Sequence, residues 1–391
     1  MRPLTVAAVL LCSNALAGDK VMLPRLDPVV LTTLESYLVQ HYQAPEDYVL
    51  SKFRDHDVVF LGESHRIKAD VELVQHLIPR LYRAGVFTLC TEYARREDQP
   101  LIDRLLSAPE YDETLAREVT WRSAWFWGFK EYLDIYRVAW DLNHSLARGA
   151  RPFRILALND SPDWSVLKRA EDWNSSVLRR RVWGRNSGED QSAKVILERV
   201  VARHEKALVY CGRHHAFTEY RQPIFDEKAQ RLLRLADDRA GNYVFHAIGK
   251  RAITICLHGP WFPATGYSGR EVYPVGGAID ALIHQLPPRY RSAGFDTRGT
   301  PFGSLGSSDS IYKWGHEPFS LDKYCDGYII QGPLSEIVGV TPIRDFINAG
   351  NIEYVRRRLL RPESRGLSIA ELNAGIASDA QVVVRLCEHL Q

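Results

Sequence analysis

The sequence predicts an α/β fold, a mostly parallel sheet flanked by helices, and two observations carry that expectation. Short apolar runs alternate with helical stretches along the chain, the signature of βαβ units. Several of those runs also end in a titratable side chain, and in open α/β sheets ligands sit outside the carboxyl ends of the strands. The bulk numbers agree: 391 residues, 45% hydrophobic and 25% charged, place the chain among globular proteins long enough to bury a real core. Lys+Arg 50 against Asp+Glu 48 leaves a net charge of +2, a balance that points away from a nucleic-acid partner.

The first residues, "MRPLTVAAVLLCSNALAGDK", combine Arg2, an apolar run from Leu4 to Cys12 and the small-x-small signal Ala15-Leu16-Ala17. Residues 1–17 therefore read as a signal peptide cut after Ala17, and the protein as periplasmic or extracellular. No later run reaches the roughly 20 apolar residues of a membrane-spanning helix. The five remaining cysteines, Cys90, Cys211, Cys256, Cys325 and Cys387, are odd in number and widely spaced. They are expected to be buried thiols rather than to form a Cys90–Cys211 bridge.

Residues 18–49 form an N-terminal helical segment, with an amphipathic helix over 29–42. "DVVFLG" (57–62) reads as a buried strand and 67–84 as a helix, with Val71, Val74, Leu77, Ile78 and Leu81 on one face. "VFTLCTE" (86–92) is the next strand, followed by a helical insertion over about 99–147 with an aromatic-rich centre, expected to be helix core. "FRILALND" (153–160) and "ALVYCG" (207–212) are strands, with a helix over 189–206 between them. A helix is expected over 226–239, then strands at "NYVFHAIG" (242–249) and "AITICLHG" (252–259). Residues 286–326 read as a long surface loop and "YCDGYIIQGP" (324–333) as a last strand. Thr341-Pro342 should open a helix, and 336–391 should be a helical C-terminal segment after an α/β domain spanning 50–335.

The strand ends display Glu63 and His65, Glu92, Asn159 and Asp160, His214 and His215, and His258. "LGESH" at 61–65 and "CGRHHA" at 211–216 both contain Gly-x-x-His, and this matching spacing selects His65 and His215 over His214. The glycine should let the chain turn tightly and bring the imidazole back over the strand end. Asp160 and His258 are weaker candidates, Asp160 because it could cap a turn. Two histidines and two carboxylates in one cleft support two chemistries. They could hold a divalent metal through His65, Glu92 and His215, so that a bound water attacks a carbonyl. Alternatively, one imidazole held by a carboxylate acts as general base on water without metal. No Gly-x-Ser-x-Gly elbow supports a serine hydrolase.

On "LGESH", "LCTEY" (89–93) and "CGRHHA", the chain resembles the Tiki/TraB and erythromycin esterase/ChaN-like superfamily over roughly residues 50–335. The resemblance implies an α/β core with a cleft at the strand ends. It makes His65 and His215 the paired histidines, Glu92 the strand glutamate and Glu63 the acidic partner. It implies a hydrolase acting on an ester or amide bond of a small molecule or peptide, with a metal or without one. The alternative it implies is a non-catalytic haem-binding protein of the cell envelope. Arg66 stands where erythromycin esterases usually have Gly after the motif histidine.

Overall fold

In the computed structural model, residues 20–183, 188–359 and 361–390 are described. The proposed leader, residues 1–17 with Cys12, lies outside them. Among the described residues nine strands form: β1 Val58–Glu63, β2 Thr88–Arg95, β3 Arg154–Asn159, β4 Ala207–Gly212, β5 Gln222–Asp226, β6 Arg231–Ala236, β7 Ala252–Leu257, β8 Ala293–Asp296 and β9 Gly327–Ile330. Seven of them make one sheet in the order β3-β2-β4-β1-β7-β9-β8, parallel except for β8. All six residues of β1, of β4 and of β7 are buried, as the continuous apolar runs of a doubly covered parallel sheet require.

The helix Lys68–Arg83 shows why the sequence pattern works. Val71, Val74, Leu77, Ile78 and Leu81 are all buried against the sheet, each contributing about 1.5–3 kcal/mol relative to exposure. Between β2 and β3 the chain forms the helices Gln99–Ser107, Glu113–Ser123 and Lys130–Ser145, which cover the same face. Glu189–Arg199 and Ala240–Ile248 pack on the other face around β4. Among the described residues no helix is long and apolar enough to cross a membrane.

Four expectations need correction. Residues 226–239 are not a helix but the arm of a β5–β6 hairpin, because the Asp226 carboxylate accepts the N–H groups of Lys228 and Ala229 at 3.1 Å and folds the chain into a turn. Residues 242–249 are helix rather than strand: the Asn242 side chain accepts the Arg239 N–H at 3.0 Å and closes the first turn of Ala240–Ile248. The stretch 286–326 is not a surface loop, since it supplies the antiparallel edge strand β8 and fully buries Phe302, Ile311 and Tyr312. Finally, Thr341-Pro342 opens no helix. Thr341 is held by Glu131 through its N–H at 2.8 Å and its hydroxyl at 2.7 Å, Pro342 bridges to Phe129, and the next helix begins at Ile352.

All five described cysteines are free and buried. The apolar strands that carry Cys90, Cys211 and Cys256 keep those thiols inside the core.

Candidate active site

The site lies where β2, β4 and β1, adjacent in the sheet, reach their carboxyl ends. β1 ends in Glu63, which is buried, and the chain then turns so that His65 Nδ1 donates to Glu63 Oε1 at 2.7 Å. Three phenols converge on the same carboxylate. Tyr132 donates to Oε1 at 2.6 Å, Tyr93 also donates to Oε1, and Tyr210 donates to Oε2. Burial alone would raise the Glu63 carboxyl, but the His65 hydrogen bond and charge, with the Tyr132 and Tyr210 phenols, outweigh it and hold it below the ordinary range. Glu63 therefore stays anionic and fixes both the tautomer and the plane of the His65 ring.

His215 is built the same way from different parts. Its Nδ1 donates to Glu189 Oε1 at 2.7 Å, and Glu189 comes from the first turn of the helix Glu189–Arg199. Glu189 is in turn held by the Ala240 N–H at 3.0 Å and by Arg239 at 3.4 Å. Burial disfavours the imidazolium, but the charges of Glu189 and Glu92 win and push His215 up to about 9. His215 is thus protonated at neutral pH.

Glu92 joins the two halves. Its Oε1 lies 3.8 Å from His65 Nε2 and its Oε2 lies 3.1 Å from His215 Nε2. A register irregularity in β2 after Thr91 lets the consecutive residues Glu92 and Tyr93 both face the cavity, where a regular strand would send them to opposite sides. The Gly212 N–H then fixes Glu92 Oε1 at 2.6 Å.

The glycines act through space rather than through a turn. Gly212 has an ordinary φ of −57°, but a Cβ there would sit 2.7 Å from His65 Cε1. At Gly62 a Cβ would meet the Arg213 Cα at 2.9 Å. Each glycine makes room for the segment that carries the other motif. Arg66 is the residue with the unusual backbone, φ 70°, in the left-handed region where glycine is at ease. Its N–H donates to the Tyr132 hydroxyl at 3.0 Å and its guanidinium pairs with Asp379 of the C-terminal helices at 3.0 Å.

The other candidates fall elsewhere. His214 turns away from Glu92 to the Tyr312 hydroxyl at 2.8 Å, and burial with the Arg239 and Arg213 charges holds it neutral, well below the usual imidazole range. His258 lies outside the cavity, between Tyr328 at 2.9 Å and Asp280 at 3.2 Å. Asp160 lines the cavity but is occupied by Arg96 and by the Gly188 N–H at 2.8 Å, and Asn159 caps the Asp160 N–H at 2.8 Å.

The aromatic-rich centre of the insertion is both core and wall. Trp127, Phe129, Tyr132 and Tyr136 are buried, yet Phe126 and Trp127 also line the cavity, and the Trp127 ring meets the His65 ring edge-on at 5.2 Å. Sequence reasoning missed Glu189 and the tyrosines around Glu63. Tyr210 carried a readable signal, since a hydroxyl inside an otherwise apolar strand needs a buried partner. Glu189 carried none.

A metal at this centre does not fit the side chains as they stand. Among the described residues no group of three or more His, Cys, Asp or Glu is arranged to hold a metal ion. Of the expected ligands, His215 Nε2 meets Glu92 Oε2 at 3.1 Å and Glu92 Oε1 accepts the Gly212 N–H, while His65 Nε2 lies 3.8 Å from Glu92, beyond hydrogen-bond reach.

Comparison with known proteins bears on the fold. Residues 49–207 match the family described as haem-binding uptake, Tiki superfamily, ChaN. No curated protein matches the chain. A solved succinoglycan biosynthesis protein shares 12% identity, covering 77% of this chain and 95% of that one, with a TM-score of 0.50. A Bacillus cereus protein shares 13%, covering 82% and 99%, with a TM-score of 0.46. The structure described as cofacial haem binding to ChaN of Campylobacter jejuni shares 12%, covering 56% and 86%, with a TM-score of 0.31.

Proposed function

We propose, from the premise that residues 49–207 match the haem-binding uptake, Tiki superfamily, ChaN family, that this protein is a metal-independent hydrolase of an amide or ester bond. One observation carries the reading: the continuous chain Glu63–His65–Glu92–His215–Glu189, in which each imidazole is oriented at Nδ1 by its own carboxylate and turns Nε2 to Glu92. Such an arrangement supplies a base and an acid side by side.

In the proposed step, His65 takes a proton at Nε2 from a water whose oxygen attacks the substrate carbonyl carbon. The bond to the leaving nitrogen or oxygen breaks, and protonated His215 gives its proton from Nε2 to that atom. Glu92, between the two rings, stabilises the imidazolium that forms on His65. Proton exchange with solvent then resets both rings. General acid and base groups placed in this way contribute about 100- to 10,000-fold each.

The experiment is turnover of a peptide and ester panel by the intact protein beside His65→Ala and His215→Ala, with circular dichroism to show that the variants fold. Loss of turnover in both is expected, and unchanged turnover in either refutes the reading. Export is proposed together with it, on residues 1–17, and a secreted protein beginning at Gly18 is the expected result.

A second reading, haem binding without turnover, is favoured by the family match and by the cavity of 1590 Å³ with Phe126, Trp127, Trp173 and Trp183 on its walls. Room and walls suit a planar macrocycle, but iron ligation by His215 requires breaking its 3.1 Å contact with Glu92, and two carboxylate-oriented imidazoles are more than one axial ligand requires, which places this reading second. Haem titration without a Soret shift would remove it.

A further inference from the structure

One wall of the cavity is the helix Ser176–Trp183, and its three consecutive arginines, Arg179, Arg180 and Arg181, line the space that opens from His65 and His215. The other arginines on the walls are neutralised: Arg234 pairs with Asp238 at 2.9 Å and Arg239 with Glu189 at 3.4 Å. Arg179 donates to the Trp173 carbonyl and lies 6.0 Å from that ring, which holds its guanidinium in place without cancelling its charge. Among the described residues, none of the three is paired with a carboxylate.

Three uncompensated guanidinium groups beside a reaction centre select for an anion, since guanidinium matches a carboxylate with two parallel hydrogen bonds. Cavity size narrows the class. At 1590 Å³ the space exceeds the roughly 300–1,000 Å³ of ordinary small-molecule pockets and suits a segment of extended chain. On the walls, Asp160, Glu189 and Asp238 are neutralised by Arg96, Arg239 and Arg234, while Asp190 is paired with no cation among the described residues and opposes the closely spaced charges of a continuous polyanion such as a nucleic acid. Between them, Trp173, Trp183 and the half-exposed Val177 offer apolar surface for side chains.

We propose that the cavity binds an acidic peptide, its carboxylates on Arg179, Arg180 and Arg181 and its scissile amide at His65 and His215. The placement of the amide rests on the hydrolytic reading, whereas the anionic site does not.

The test uses the intact protein and two fluorescein-labelled peptides of equal length, one with Asp and Glu flanking a central Tyr, the other with Lys at those positions. Anisotropy should show the acidic peptide binding about tenfold or more tightly, with the preference shrinking as salt rises. It should vanish in the double variant Arg180→Glu/Arg181→Glu, both positions being exposed so that folding is spared. Equal binding of the two peptides, a preference that survives the charge reversal, or displacement by haem or a single-stranded oligonucleotide at lower concentration than by unlabelled acidic peptide would each overturn the proposal. Preferential binding without cleavage by the wild type would overturn the hydrolytic reading and support the anionic site. Cleavage without preference would do the reverse.

Discussion

The two Gly-x-x-His motifs end neighbouring parallel strands and present their imidazoles to the same carboxylate, yet they are supported in opposite ways. At the first, the orienting carboxylate Glu63 is two residues from His65, on the same strand, and is locked by Tyr93, Tyr132 and Tyr210. At the second, the orienting carboxylate Glu189 comes from a separate helix and is held by Arg239 and the Ala240 N–H. Identical spelling at the strand ends thus does not mean identical electrostatics. The first histidine is fixed by a buried network of phenols. The second is held by charge, and this is why it carries its proton to about pH 9.

Replacing each orienting carboxylate by its amide should separate the two motifs most sharply. Glu63→Gln should cost turnover about 100-fold or more and about 2–4 kcal/mol of stability, because three phenol donors and an imidazole lose a charged acceptor. Glu189→Gln should lower turnover as well but cost less in denaturant unfolding, about 1–2 kcal/mol, because its partner His215 is partly reached by solvent and His215, Arg239 and the Ala240 N–H keep a neutral acceptor. Equal destabilisation by the two would break the comparison.

The glycines should divide likewise. A methyl at Gly212 meets the His65 ring, so Gly212→Ala should displace the imidazole and reduce turnover about tenfold or more. A methyl at Gly62 meets the Arg213 backbone, so Gly62→Ala should appear in thermal unfolding, at about 1–3 kcal/mol. The reverse pattern would show that the close approach between the motifs is misplaced.

Above neutral pH, stability should also depend on pH through the second motif. His215 is raised in the folded state, so its contribution is fully present below the ordinary imidazole value of about 6.5 and is lost as pH rises through about 9. Allowing for its part exposure, about 1–2 kcal/mol should disappear over that window. In His215→Ala the curve should be flatter there, as read by urea midpoints. The smallest effect is expected at His214, which faces Tyr312 rather than Glu92, so His214→Gln should leave turnover within about threefold.

The sequence already showed why β1, β2, β3, β4 and β7 form and which side chains their ends display, because apolar runs and strand-end chemistry are local. The misread regions had their competing signal in single side-chain contacts. Asp226 turns 226–239 into a hairpin and Asn242 closes a helix over residues that are rich in β-formers. The packed stretch 286–326 is polar and Gly-rich in composition, and only tertiary contact buries Phe302 and Ile311. At the site, His65 and Glu63 were legible because spacing and partner coincide. Glu189 was not, since nothing local marks a glutamate 26 residues before the histidine it orients.

The most direct test of this account is the pH–rate profile of peptide or ester hydrolysis by the intact protein, measured in the presence of a chelator, beside the same profile for Glu189→Gln. Turnover should be insensitive to the chelator and show an alkaline limb near pH 9, the loss of the His215 proton, that moves to lower pH in Glu189→Gln. Turnover abolished by the chelator, or an alkaline limb that Glu189→Gln leaves in place, would contradict it.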